Sequence, residues 1–148
     1  MSVMKLYMDT GRKLRLLVAM TLVSSLCCWA QTTQPTARVI EILADHDSRY
    51  KMAGQKNPVI TVKAGEQITL RIAAKKAKST NRDGSIHGFT LLRAKDRKPV
   101  PDWDFLLKPG TQEYTAAAPS EAGEYIVVCT VICSQDHEGM NMRLVVLP

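Results

Sequence analysis

The sequence predicts an all-β domain, an antiparallel sandwich or barrel, on three observations. Short apolar runs rich in Val and Ile follow one another along residues 37–148. Gly, Pro and polar turn residues separate these runs, as they do in sheets built from short strands. No segment has a helical period longer than two turns. Together these features argue against an α/β fold, which would need helices between its strands.

The predicted strands lie at residues 39–43, 59–62, 67–72, 88–93, 111–115, 124–129 and 143–147. Strict alternation in the third strand places Ile68, Leu70 and Ile72 on one buried face. A turn at residues 64–66 joins the second strand to the third.

The first 30 residues have the order of a secretory signal peptide. A basic stretch ends at Arg15, an apolar run fills residues 16–29, and Ala30 precedes polar residues. We expect cleavage after Ala30 and export to the periplasm or the outer face of the cytoplasmic membrane. An uncleaved membrane anchor is the alternative, although the run is shorter than the roughly 20 residues of a spanning helix. A lipidated Cys27 or Cys28 is disfavoured, because no small residue precedes either at the usual place.

Residues 31–36 form a short polar linker, and the globular domain occupies residues 37–148. The chain carries a net charge of +6, but residues 31–148 hold 16 basic and 13 acidic residues, a net charge of +3. This charge, with only 5% aromatic residues, argues against nucleic-acid binding. Only two of the four cysteines lie in the domain, which excludes a framework of several disulfides.

Four side chains that bind soft metals lie within twelve residues near the C-terminus. Cys129 and Cys133 are followed by His137 and Met140, all on one connection between two predicted strands. His87 begins another predicted strand far upstream and is placed to close the same site. Thiolate and thioether favour cuprous copper, and imidazole suits both oxidation states of copper. The pattern therefore predicts a copper site.

The matched elements of a known family are His87-Gly88-Phe89, Lys108-Pro109-Gly110, Gly123-Glu124-Tyr125 and the run Cys129-x3-Cys133-x3-His137-x2-Met140. Together they resemble the copper A domain of cytochrome c oxidase subunit II and of nitrous oxide reductase, over roughly residues 58–148. The resemblance implies a cupredoxin-like Greek-key β-sandwich or barrel with a binuclear copper centre.

The resemblance also implies the ligands of two copper ions. Cys129 and Cys133 would each bridge both ions, and His87 and His137 would bind one ion each. The Met140 side chain would be a weak ligand to one ion, and the backbone carbonyl of Val131 a weak ligand to the other. The implied function is electron transfer in an exported protein. A cytochrome c, or an oxidase or reductase, would be its redox partner, and a copper-delivery chaperone would load it. Membrane association is expected only if the N-terminal segment stays uncleaved.

The chain departs from this family in three ways. Ser134 replaces a residue that is often Gly in the oxidases, and Val131 one that is often acidic or aromatic. The two transmembrane helices that precede the oxidase domain have no counterpart here, so docking to an oxidase core through such helices is not expected.

Several alternatives stay open from the sequence. Cys129 and Cys133 could form a disulfide, or join the two histidines in a zinc site. A mononuclear copper carrier or chaperone of the periplasm is the main alternative function. Whether the chain is a subunit or electron donor of an oxidase-type or reductase-type enzyme stays open. Catalysis by this domain alone is not expected, because no nucleophile and base pair accompanies the site. We expect His46 to be a surface residue and Trp103 to serve packing rather than electron entry.

Overall fold

The computed structural model describes residues 37–76 and 78–148, so the predicted signal peptide (1–30) and linker (31–36) lie outside the described residues. The strands are β1 (Arg38–Ala44), β2 (Tyr50–Lys51), β3 (Val59–Lys63), β4 (Gln67–Ala74), β5 (His87–Arg93), β6 (Pro99–Leu107), β7 (Gly110–Ala117), β8 (Gly123–Val128) and β9 (Asn141–Leu147). A single 3₁₀ turn, His137–Gly139, accompanies them in these residues. None of the described segments forms a helix able to cross a membrane.

Two sheets enclose the core. The first has the strand order β2-β1-β4-β7, and the second has the order β3-β9-β8-β5-β6. The predicted buried face of β4 is confirmed, because Ile68, Leu70 and Ile72 are fully buried. Phe89 and Leu144 of the second sheet are equally buried in the same cluster. The all-β prediction therefore holds.

The expectation of purely antiparallel pairing is wrong for two strand pairs. β1 runs parallel to β4, and β3 runs parallel to β9. The predicted turn at residues 64–66 exists, but it carries the chain from β3 in one sheet to β4 in the other instead of closing a hairpin. Each parallel neighbour is thus supplied by a segment distant in sequence, which local patterns do not reveal.

Two strands were not predicted from the sequence, namely β2 and β6. β6 contains Pro99 and Pro101, which lack the N–H group that a central strand needs. It tolerates them because it lies at the edge of its sheet. Trp103 of β6 is buried and donates its indole N–H to the carbonyl of Ala117 over 2.8 Å. This contact supports the packing role expected for Trp103.

The second sheet positions the predicted ligands. β5 begins at His87 and pairs antiparallel with β8, and β8 pairs antiparallel with β9. The connection between β8 and β9, residues 129–140, follows the end of β8 at Val128. We call this connection the 129–140 loop.

Replacing Leu70 with Ala tests the position of the core. Leu70 is fully buried in β4, so the cavity left behind should lower the free energy of unfolding by about 2–5 kcal/mol. Urea unfolding followed by circular dichroism measures this. Thr61→Ala, on an exposed position of β3, is the control and should change stability by about 1 kcal/mol or less. Equal effects of the two substitutions would contradict the assigned core.

Candidate metal centre

Three of the predicted ligands come together inside the protein. A ring nitrogen of His87 and the sulfur atoms of Cys129 and Cys133 all lie within 4.8 Å of one another. All three side chains are buried. The start of β5 supplies the histidine and the 129–140 loop supplies both cysteines, so the pairing of β5 with β8 creates the cluster.

The two sulfur atoms are close but not bonded. Cys129 Sγ lies 3.7 Å from Cys133 Sγ, whereas a disulfide has a length of about 2.05 Å. Because bonds from zinc to thiolate sulfur are about 2.3 Å, one transition-metal ion can contact two sulfurs at this separation. The pair therefore fits a metal, and the disulfide alternative is not realised in this structure.

Cys129 has a fixed polar environment. The backbone N–H of Gly88 donates to its Sγ over 3.3 Å, and the Cys129 thiol donates to the carbonyl of Val131 over 3.2 Å. Burial raises the pKa of the Cys129 thiol to about 11. Without a metal, the thiol form is thus favoured at neutral pH, and metal binding must displace its proton.

His87 presents one nitrogen with no partner. Its Nε2–H donates to the carbonyl of Lys75 over 2.9 Å, which fixes the proton on that side of a neutral ring. Burial lowers the pKa of His87, so the neutral ring is favoured. Nδ1 is then a lone-pair acceptor, and it is buried without a hydrogen-bond partner among the described residues. A bound metal would satisfy it, in the arrangement typical of ligating histidines.

The other predicted ligands differ in their placement. The Met140 side chain is fully buried, and its backbone carbonyl accepts a hydrogen bond from the Cys129 N–H over 3.2 Å, which closes the loop. His137 lies apart from the cluster on the 3₁₀ turn. It is partly exposed, and its Nδ1 donates to the carbonyl of Ser134 over 2.9 Å. The structure thus places all five side chains on the predicted elements, and it brings His87, Cys129 and Cys133 together.

Gly88 brings β5 against the 129–140 loop. A Cβ atom at this position would lie 2.6 Å from Thr130 Oγ1 and 2.8 Å from the Thr130 backbone nitrogen. The hydroxyl of Tyr50, in β2, donates to the Gly88 carbonyl. Only glycine permits this approach, and sequence patterns gave no sign of either contact.

The connection between β4 and β5 makes hydrogen bonds to both His87 and the 129–140 loop. As described, the carbonyl of Lys75 accepts a hydrogen bond from the His87 ring. The Cys133 carbonyl accepts hydrogen bonds from the N–H of Lys78 over 3.2 Å, the N–H of Ser79 over 3.1 Å, and the Ser79 hydroxyl over 3.2 Å. His46 is exposed and bonds Asp45, as expected for a surface residue.

Comparison with known proteins supports the architecture. The sequence matches no protein-family profile and shows no significant similarity to a curated protein. Among solved structures, auracyanin A, a blue copper protein of Chloroflexus aurantiacus, has a TM-score of 0.54 at 22% identity over 76% of this chain and 100% of its own. This chain has the cupredoxin fold.

Two further solved structures each match with a TM-score of 0.50. Reduced rusticyanin matches with 0.50 at 18% identity over 76% of this chain and 81% of rusticyanin. A chain of a heme-copper terminal oxidase matches with 0.50 at 14% identity over 78% of this chain and 68% of its own. At these identities the likeness establishes the fold of the cupredoxin domain, and its chemistry has to be argued from its own residues.

Gly88→Ala tests the contact between β5 and the loop. The added methyl group must displace the Thr130 backbone, so we expect a loss of about 1–3 kcal/mol in unfolding free energy. Thiol-reagent kinetics on the metal-free protein should also show faster reaction at Cys129, because its N–H donor moves. Gly139→Ala, in the same loop with open space around it, is the matched control and should leave both quantities nearly unchanged. Similar behaviour of the two variants would contradict the assigned contact.

The raised pKa of Cys129 predicts a loss of stability at high pH. The unfolded thiol, with its ordinary pKa near 9.0, loses its proton first, whereas the folded one keeps it until about pH 11. The stabilisation is therefore complete below about pH 9 and is lost as pH rises toward 11, in total about 3 kcal/mol. Urea unfolding of reduced, metal-free protein at several pH values measures it. Cys129→Ser should flatten the decline, and an unchanged slope would refute the assignment.

Proposed function

We propose that this cupredoxin domain binds copper and transfers electrons through a centre of the copper A type. One observation carries the proposal. The sulfur atoms of Cys129 and Cys133 and a ring nitrogen of His87 lie within 4.8 Å of one another in a buried position, and Nδ1 of the same imidazole has no hydrogen-bond partner among the described residues. A buried polar nitrogen left unpaired is unfavourable, so a cluster of this kind is best explained by a metal that completes it.

The chemistry of the donors favours copper over zinc. Thiolate sulfur and imidazole suit both metals, but a thioether donor selects copper. Met140 is fully buried at the end of the same loop, where it can serve as a weak ligand. A zinc site built from two cysteines and two histidines would leave Met140 without a role. The cupredoxin neighbours named as copper proteins, auracyanin A and rusticyanin, support the same choice.

The proposed centre holds two copper ions bridged by Cys129 and Cys133. Both sulfurs belong to one cluster, so a metal held by one is within reach of the other. His137 would complete the centre in one of two ways. Either its Nε2 binds the metal, or its Nδ1 gives up the hydrogen bond to the Ser134 carbonyl and binds the metal instead. The carbonyl of Val131, 3.2 Å from Cys129 Sγ, is the remaining weak donor. This number of ions follows the resemblance to copper A domains.

Copper, when bound, supplies a reversible one-electron change. The residues of the chain keep its surroundings constant during that change. The backbone N–H of Gly88 donates a hydrogen bond to the Cys129 sulfur, and the backbone carbonyl of Lys75 accepts one from the His87 imidazole. Burial of His87 and the cysteines excludes water from the donors. Donors that move little between oxidation states permit fast electron transfer.

The proposed setting is outside the cytoplasm, after removal of residues 1–30. A cytochrome c or an oxidase or reductase would exchange electrons with the domain, and a copper-delivery chaperone would load it. The heme-copper oxidase chain among the structural neighbours supports a partner of this kind.

A mononuclear copper carrier is the second candidate function. It is favoured by the position of His137, which lies outside the cluster and leaves a site of three donors. Such a site would hold one cuprous ion and show no intense visible band.

Copper titration of the purified chain tests the proposal. We expect two coppers per chain, strong visible bands from thiolate, and an electron-spin signal split by two equivalent copper nuclei. Cys133→Ser should abolish this spectrum or reduce it to that of a single copper, because one bridge is lost. One copper per chain with a single-nucleus spectrum would contradict the binuclear centre, and no copper uptake would contradict the function.

A pair of methionine substitutions tests the weak ligand. Met140→Leu should alter the visible spectrum and the reduction potential of the loaded protein, since the thioether donor is lost. Met142→Leu, in β9 and equally inside the core, is the matched control and should leave both unchanged. Identical spectra for both variants would exclude Met140 as a ligand.

The rate of electron exchange separates a relay from a carrier. Stopped-flow mixing of the oxidised, copper-loaded chain with reduced cytochrome c should show rapid reduction of the centre. Absence of electron exchange, together with transfer of copper to an apo-protein, would favour the carrier.

A further inference from the structure

A serine from a distant part of the chain contacts the second cysteine. Ser48, in the connection between β1 and β2, places its hydroxyl 3.7 Å from Cys133 Sγ. The same hydroxyl lies 2.7 Å from the hydroxyl of Ser134. Both serines are buried, with 4% and 8% of their surface exposed. Two buried hydroxyl groups thus adjoin a proposed bridging sulfur.

The protons of these groups can be assigned by counting donors. The N–H of Asp136 donates to Ser134 Oγ over 3.1 Å. A metal-bound cysteine is a thiolate with no proton, so Cys133 Sγ can only accept. Ser48 must then donate its single proton to the sulfur, and Ser134 donates its own to Ser48. The result is a directed chain from the Asp136 N–H through Ser134 and Ser48 to Cys133.

The backbone around Ser48 holds it in place. Ser48 has a φ of +56°, in the left-handed region that few residues other than glycine adopt. Its N–H donates to the carbonyl of Asp45 over 3.1 Å, which closes a turn. The Asp45 carboxylate is itself held by Lys51 Nζ at 2.6 Å. The hydroxyl is therefore positioned by a fixed turn and not by a free loop.

Each sulfur of the pair accordingly has its own donor. Cys129 Sγ accepts from the backbone N–H of Gly88, and Cys133 Sγ accepts from the Ser48 hydroxyl. Only the second donor can be removed by changing a side chain. Ser134 stands where the resembling oxidase domains often have glycine, so the chain differs from them at this point.

We propose that Ser48 and Ser134 form a hydroxyl relay that donates to Cys133 Sγ and raises the reduction potential of the copper centre. This inference rests on the proposed function. Ser48 and Ser134 are positioning residues, since they touch the ligand and not the metal.

The direction of the effect follows from electrostatics. The thiolate carries more negative charge when the centre is reduced, and a hydrogen-bond donor stabilises that charge. Hydrogen bonds to a cysteine sulfur are an established means of tuning copper potentials. Neighbouring hydroxyls polarise each other in a chain, so Ser134 strengthens the donation by Ser48. Removing either hydroxyl should favour the oxidised centre.

Spectroelectrochemistry of the copper-loaded full chain tests the relay. Ser48→Ala should lower the ratio of reduced to oxidised centre three- to tenfold at a fixed potential, the upper value corresponding to about 59 mV for one electron. The thiolate band should move to lower energy, because a sulfur without its donor gives up electrons more easily. Ser134→Ala should produce a smaller shift in the same direction, and Ser134→Thr, which keeps the hydroxyl, should restore the wild-type potential.

The double variant Ser48→Ala/Ser134→Ala decides whether the two hydroxyls act as a chain. Its potential should equal that of Ser48→Ala, because Ser134 acts only through Ser48. Ser85→Ala is the matched control: Ser85 is 1% exposed, and its hydroxyl bonds Asp83 and no sulfur, so the potential should not move.

The outcomes separate this inference from the proposed function. If the wild-type chain binds no copper, the proposed copper function and the hydroxyl relay are both wrong. If all variants bind copper with the wild-type potential, or if the two single shifts add in the double variant, the relay is overturned and the copper centre stands. A shift in Ser85→Ala equal to that of Ser48→Ala would also overturn it.

Discussion

The close approach of Gly88 to Thr130 is the contact on which the site depends. It seats the first residues of β5 against the 129–140 loop, with no room for a side chain between them. The N–H of the same glycine donates a hydrogen bond to Cys129 Sγ, and its carbonyl accepts a hydrogen bond from the Tyr50 hydroxyl. One backbone position thus fixes the distance between His87 and the cysteines.

Around this contact, both sheets contribute to a single buried cluster of metal-donor atoms. The second sheet and its 129–140 loop supply His87, the two cysteines and the Gly88 N–H that donates to Cys129. Connections that follow strands of the first sheet supply further hydrogen-bond partners. Lys75 orients the imidazole, and Ser48 reaches Cys133. The buried Nδ1 of His87 without a hydrogen-bond partner is unfavourable, and the packing of the core holds it beside two sulfur atoms in a site that a metal would complete.

Much of the fold could be predicted because its central strands alternate clearly, as β4 does at Ile68, Leu70 and Ile72. β6 was missed because Pro99 and Pro101 are typical of turns and are tolerated only at a sheet edge. Parallel pairing of β1 with β4 was missed because it joins distant segments. The ligand types were visible as a motif, but the partners Ser48 and Tyr50 were not. Their contacts depend on tertiary packing, for which a single serine or tyrosine gives no sequence signal.

The most direct test of the central claim is X-ray absorption at the copper edge of the loaded full chain. The account predicts sulfur and nitrogen neighbours around copper, with a second copper nearby, and loss of the sulfur signal in a Cys129→Ser/Cys133→Ser variant. A first shell of oxygen and nitrogen alone, unchanged by that double substitution, would show that the buried His87, Cys129 and Cys133 cluster is not the copper site.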